Sequence, residues 1–112
     1  MDVIAYTKYL RISPRKVRII ASGIKKMSLE QVLAKMPFLL KAGAKPILKT
    51  VQSALANAEK NYSLKSENLI IKNIIVEESN RLKRMDRSHG SRFSRGIKQK
   101  RGCHIKVILT SK

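Results

Sequence analysis

The sequence predicts an α+β fold in a single domain spanning residues 1–112, and three observations carry that prediction. Apolar residues at helical spacing occur in three separate stretches between Pro14 and Asn61. β-branched and aromatic residues gather instead near the start of the chain, at residues 69–78 and at residues 103–109. Hydrophobic residues make up 43% of the 112 positions, enough for one modest core.

Taken in order, residues 3–10 mix Val, Ile, Tyr and Thr and read as a first strand. Ser13-Pro14 then opens a helix. Serine suits the N-cap, and proline suits the first helical position, where its missing N–H costs nothing. Val17, Ile20, Ala21 and Ile24 form the apolar stripe of that helix. Arg15 and Arg18 lie off the stripe, towards solvent or a partner, and the helix should end between Gly23 and Lys26. Ser28 and Gln31 make a capping-box pattern for a second helix, with Leu29, Val32, Leu33 and Met36 as its apolar face and Pro37 as its stop. A third helix starts near Ala44 or Lys45, because Pro46 is tolerated only in a first turn. Ala44, Ile47, Leu48, Val51, Ala54, Leu55 and Ala58 hold its spacing as far as Asn61, an alanine-rich face suited to close packing. Residues 61–68 are polar and turn-like. The strongest strand, residues 69–78, has Leu69 and Ile71 as one inward pair and Ile74 and Val76 as another. The step of three between the pairs predicts a bulge. In the last strand Ile105, Val107 and Leu109 alternate with His104 and Lys106.

Charge is the outlier. Lys and Arg total 25 against 7 Asp and Glu, for a net +18. Such a surface repels itself and gains from a polyanion, of which nucleic acid is the commonest. A membrane surface is the competing polyanion. No apolar run approaches the roughly 20 residues that span a bilayer, and no apolar signal segment opens the chain. A basic amphipathic helix for a membrane surface would carry bulky aromatics, and aromatics are only 4%. The single cysteine, Cys103, excludes an internal disulfide and fits a reducing compartment.

The charge peaks in residues 80–102, where Arg81, Lys83, Arg84, Arg87, Arg92, Arg95, Lys98, Lys100 and Arg101 face one acid, Asp86. Leu82, Met85, Phe93 and Ile97 are too few large apolar side chains for a core of their own. Two conformations fit. One is a disordered basic loop. The other continues the flanking strands as a two-stranded ribbon, with ten residues per arm, a turn near residues 88–91 and a reach of roughly 30 Å. An isolated ribbon is marginal in water, so it would become ordered against RNA. Arginine outnumbers lysine here, whereas lysine predominates elsewhere, and its planar fork bridges phosphates and stacks on bases. Phe93 fits either stacking on an exposed base or an apolar clasp with Met85.

Other functions find little support. His89 and His104 are far apart in sequence, and adjacent Cys103 and His104 on a strand face opposite ways, as do Glu77 and Glu78. The chain therefore does not read as an enzyme. No zinc-ligand spacing occurs, and the glycines at 23, 43, 90, 96 and 102 form no phosphate-binding loop, so neither metal nor cofactor is expected. The rival reading is a basic architectural protein that binds DNA or RNA. For DNA it would need a recognition helix or a base-reading dimeric ribbon, and the helical charges here are scattered.

Four motifs in order carry a resemblance. They are Arg11-Ile12-Ser13-Pro14-Arg15-Lys16-Val17-Arg18; Ala54-Leu55-Ala56-Asn57-Ala58-Glu59-Lys60-Asn61; Val76-Glu77-Glu78 leading to Lys83-Arg84; and Lys100-Arg101 followed by His104-Ile105. With them the chain resembles, over nearly its whole length, the large-subunit ribosomal protein family numbered twenty-two, whose extended hairpin lines the nascent-peptide exit tunnel. The resemblance implies three helices on a three-stranded antiparallel sheet, with residues 80–102 as a projecting basic hairpin. It implies binding of large-subunit ribosomal RNA through Arg11, Arg15, Lys16, Arg18, Arg81, Lys83, Arg84, Arg87, Arg92, Arg95, Lys98, Lys100 and Arg101. Arg87, Ser88, His89, Gly90, Ser91, Arg92 and Phe93 would form the tunnel-lining tip. The implied partners are that RNA, neighbouring large-subunit proteins and the nascent polypeptide, with no membrane and no homo-oligomer. The implied place is the ribosome of the cytoplasm, or of an organelle with a bacterial-type ribosome. Ser91-Arg92-Phe93 stands where the family often has Gly-Arg-Ala, and the returning arm is about two residues longer than usual.

Overall fold

A computed structural model of the chain describes residues 1–88, 90–94 and 96–112, with the main chain alone at Phe93. The elements run β1 (Asp2–Leu10), α1 (Pro14–Ile24), α2 (Leu29–Lys35), α3 (Ala44–Tyr62), β2 (Leu69–Glu78), β3 (Leu82–Met85), β4 (Ile97–Lys100) and β5 (Cys103–Ser111). β5 lies between β1 and β2, antiparallel to both, while β3 and β4 pair with each other in a separate sheet. The predicted α+β class therefore holds, and so does the bulge in β2. Its register slips between Ile71 and Asn73, which lets both Leu69 and the pair Ile74 and Val76 face inward.

The helices form as their end signals dictate. Pro14 occupies the start of α1, and the Ser28 hydroxyl accepts the Gln31 N–H at 3.3 Å to cap α2. Met36-Pro37-Phe38 breaks α2 into a 3₁₀ turn. α3 ends where Ser63 takes a left-handed backbone (φ 53°), so that Leu64 N–H reaches Ala58 O at 3.1 Å and Ser63 N–H reaches Glu59 O at 3.2 Å.

One face of the sheet carries the helices, α3 over β1 and β5, and α1 over β2. Cys103, Ile105, Val107 and Leu109 alternate inward along β5 and are fully buried, meeting Val3 and Ala5 from β1 and the stripe Ile47, Val51, Ala54 and Ala58 of α3. The alanines let α3 sit close on the sheet. Thr50, the one buried polar residue among those described, donates to Pro46 O at 2.8 Å and accepts from the Thr7 hydroxyl at 2.9 Å, so it carries no desolvation penalty. The opposite face of the sheet has no covering layer and exposes Ile4, Tyr6 and Ile70.

β3 and β4 project from this body. All eight of their residues are exposed. The molecule extends 62 × 25 × 17 Å with a radius of gyration of 17.5 Å, against about 13 Å for a compact chain of this length. The ribbon conformation is thus the one adopted, but its regular ladder is shorter than ten residues per arm. Four pairs run from Leu82↔Lys100 to Met85↔Ile97, and one further bond, Asp86 N–H to Gly96 O at 3.0 Å, closes the distal end. At the root, Glu78↔Cys103 is followed by Leu82↔Lys100, so residues 79–81 oppose only 101 and 102, and the surplus residue makes a bulge. Because the ribbon buries almost nothing on the body, deleting residues 82–98 should leave thermal unfolding of the remainder within a few degrees of the full chain. A large drop would mean that the ribbon packs on the body.

Candidate nucleic-acid interface

Register sorts the ribbon's charges onto one side. Directly opposed residues share a face, so Leu82, Arg84, Lys98 and Lys100 lie together, and Lys83, Met85, Ile97 and Gln99 lie on the other side. Arg84 directly opposes Lys98, a like-charge pair that destabilises an isolated ribbon and that a phosphate chain would relieve. Lys98 is partly relieved already by the half-buried Asp86 at 3.4 Å, and with the lysine itself in solvent the pair is worth little. Arg84 also donates to Lys83 O at 2.8 Å. The second face is apolar for its charge class, with Met85 58% and Ile97 65% exposed.

The root of the ribbon is built more tightly. Arg81 donates to Glu78 at 2.9 Å and to Gln99 at 3.2 Å, which ties the two arms together across the bulge. Ser79 N–H bonds Gly102 O at 3.0 Å. A side chain at Gly102 would put its Cβ 2.9 Å from Leu10 O, so this crossing admits only glycine without movement. Beside it Arg11, Leu82, Lys100 and Arg101 line an open hollow of about 440 Å³, which gathers three cations from two separate parts of the sequence.

On the body, Arg15 and Lys16 are exposed on α1, as their spacing implied. Arg18 is exposed too, but its guanidinium is also tied to the body. Its Nε and Nη2 donate to Val76 O at 3.3 and 3.1 Å, because the turn of α1 that seats Val17 and Ala21 on β2 brings the guanidinium over the strand edge. Arg18 is thus a clasp between α1 and β2, and Arg81 a clasp at the root. Sequence spacing showed neither tie. Neither Glu78 nor Gln99 was read from the sequence as a partner that positions Arg81; an acid three residues before an arginine was the available signal.

At the distal end Ser88 N–H and Ser88 Oγ both donate to Asp86, forming a compact turn. Gly90 and Gly96 adopt left-handed φ of 95°, and Arg92, in the 3₁₀ turn Ser91–Phe93, has φ 52°. Arg87 and Ser88 are exposed. His89 and Arg95 lie outside the described residues, as does the Phe93 side chain; Met85 stands opposite Ile97. The Ser88 hydroxyl and then its main-chain N–H hold the Asp86 carboxyl below its ordinary value, with Lys98 adding to this. A carboxyl lowered in the folded state stabilises above its unfolded value and loses that contribution as pH falls through the folded one. The turn should therefore be unchanged from neutral pH down to about 4 and loosen below it, followed by the Ser88 amide resonance. Loosening already between pH 7 and 5 would assign the turn to other contacts.

Cys103 and His104 point to opposite faces of β5, as neighbouring strand residues must. Cys103 is buried, and desolvation pushes its thiol upward. Among the described residues no group of three or more His, Cys, Asp or Glu could hold a metal ion, and no helix is long and apolar enough to cross a membrane.

The sequence that folds into this geometry has known relatives. Residues 5–110 match the family model described as ribosomal protein L22p/L17e. The chain is 44% identical over 109 residues to the large ribosomal subunit protein uL22 of Petrotoga mobilis, covering 96% of this chain and 71% of that protein. It is 39% identical to the protein of the same name from Desulfitobacterium hafniense, covering 96% and 93%, and 39% identical to that of Methylacidiphilum infernorum, covering 100% and 96%. With a match running from β1 through the ribbon to β5, the chain belongs to the ribosomal protein L22p/L17e family.

Proposed function

We propose that the chain is a structural constituent of the large ribosomal subunit, not an enzyme, and that it acts in the ribosome of the cytoplasm. In this reading it is a single copy that binds large-subunit ribosomal RNA and neighbouring subunit proteins and supports their assembly. The ribbon enters the RNA, and its tip, residues 87–93, lines the path of the nascent polypeptide. The observation that carries the reading is the ribbon itself. Its eight paired residues are exposed, it sets Arg84, Lys98 and Lys100 on one face, and its order gains from phosphates that neutralise the Arg84–Lys98 repulsion. Its less charged face, with Met85 and Ile97, suits contact where phosphates are absent.

The two regions have separable tasks. Substituting Arg92 is expected to alter nascent-chain stalling or sensitivity to tunnel-binding antibiotics, with subunit yield largely kept. Substituting Arg15 and Lys16 together should lower subunit yield instead. Arg18 is left out of that pair, because its loss would also open the contact between α1 and β2. Comparing yield and stalling in both sets decides the matter. Arg92 variants that fail mainly in assembly, or a tip mapped outside the tunnel by cleavage from a probe at Ser91, would overturn this division.

A further inference from the structure

We propose that the uncovered face of the sheet beside the ribbon root is a second RNA site, at which one unpaired base stacks on Tyr9 while Lys8, Arg11 and Lys106 hold its flanking phosphates. It rests on the RNA-binding reading above and adds to it a site outside the ribbon.

The argument begins with a break in alternation. Tyr6 faces outward, Thr7 inward to Thr50, and Lys8 outward, so regular pleating would send Tyr9 inward beneath α3. It does not go there. The pairing passes from Thr7↔Ile105 to Leu10↔Cys103, so Lys8 and Tyr9 together oppose His104. Tyr9 takes φ 57° and emerges on the outer face, 66% exposed. Its ring meets the His104 ring at 4.9 Å and 90°, and Tyr6 approaches the same imidazole at 6.0 Å. Tyr9 N–H donates to His104 Nδ1 at 2.9 Å, which fixes the bulge.

A bulge alone does not call for tyrosine. Glycine or asparagine accepts a left-handed backbone with less strain, and neither would leave a large ring in water. What this residue supplies is therefore the ring, held in place by an imidazole. Exposed aromatics on a sheet face are how small RNA-binding domains stack unpaired bases.

The surroundings suit a polyanion. Lys8 stands 5.4 Å from the Tyr6 ring centre, and Lys106 pairs opposite Tyr6. The nearby carboxylate, Glu77, is engaged by the Tyr6 hydroxyl at 2.9 Å, which raises that phenol above its usual value. From Tyr9 a cleft of about 190 Å³ runs between Arg11, Asn80 and Gly102 to the cationic hollow at the ribbon root. Small-molecule pockets begin at about 300 Å³; this cleft admits one flat ring, with the Asn80 amide available to its edge. It shares Arg11 and Leu82 with that hollow, so one strand of RNA can follow both.

The test uses the full chain and a large-subunit ribosomal RNA transcript, comparing Tyr9→Asn, Tyr9→Phe and Arg84→Gln with the unaltered protein. Asparagine tolerates the left-handed backbone, so Tyr9→Asn should melt no lower than the parent. It should nevertheless bind about five- to a hundredfold more weakly, the range for losing one stacked base, with the salt dependence unchanged because no phosphate contact is lost. Tyr9→Phe should bind within about twofold of the parent, the ring being kept. Parental affinity in Tyr9→Asn beside a weakened Arg84→Gln would overturn this site and leave the ribbon reading standing. No binding by the unaltered chain would instead overturn the RNA-binding reading itself. Equal losses in Tyr9→Asn and Tyr9→Phe would assign the contact to the hydroxyl and refute stacking. Undiminished RNA affinity with loss of a neighbouring protein from the particle would make this a protein-docking face and refute the proposal.

Discussion

Replacing Arg84, Lys98 and Lys100 together by glutamine is expected to cut affinity for large-subunit ribosomal RNA by roughly a hundred- to five-hundredfold at 0.1 M salt. The size follows from counterion release, in which each neutralised phosphate steepens the log–log salt dependence by about 0.7 to 0.9. Three lost contacts should flatten the slope by about 2 to 3. Lys98 already shares Asp86, so its part falls at the lower end of that range. The melting temperature should hold or rise slightly, because the substitution also removes the repulsion between opposed Arg84 and Lys98. Binding measured at several salt concentrations decides the point. A slope reduced by less than one unit would place the main phosphate contacts on the body.

The second large effect runs the other way. Ile105→Ala should destabilise the chain by about 2 to 5 kcal/mol with little direct change in RNA contacts. Ile105 is fully buried at the centre of β5, paired to Thr7 on one side and Val76 on the other, with the helices packed above. The helices are held by many other contacts and cannot sink to fill the space. For a chain of this size that loss lowers the melting temperature by roughly 10 °C or more. Ile97→Ala, at a residue 65% exposed on the ribbon, should fall within about 0.5 kcal/mol of the parent. A small effect at Ile105 would mean that the core repacks around the gap. Together the three variants separate a body that folds from a ribbon that binds.

Much of this body was legible in the sequence because local rules act alone there. Pro14, Ser28 and Pro37 fix helix ends through hydrogen-bonding groups they supply or lack, and the structure follows them within a residue or two. The bulge in β2 was visible as a step of three between inward pairs. The break at Tyr9 was not, since Tyr6 and Tyr9 read equally well as outward and inward residues of a regular strand. Arg18 and Arg81 looked like free cations, because sequence gives no view of a carbonyl 58 residues away or of a glutamine on the returning arm. The shortened ladder escaped for a similar reason. Asp86, Ser88 and the left-handed glycines divert the chain from strand geometry, through a turn whose bonds only the folded end brings together.

Gly102 gives the ribbon a pivot, and a pivot makes it a lever. The crossing at Leu10 O leaves no room for a Cβ, so the direction of the arm is set by close contact at one point of the root. Over a reach of roughly 30 Å, a rotation of about 10° at that point moves the tip by about 5 Å, a displacement comparable to one strand spacing. An alanine at Gly102 would have to push the arm away from the Leu10 main chain and so aim the far end at the wrong place. Errors of a few degrees are invisible to the core, and only the surroundings of the tip can read them.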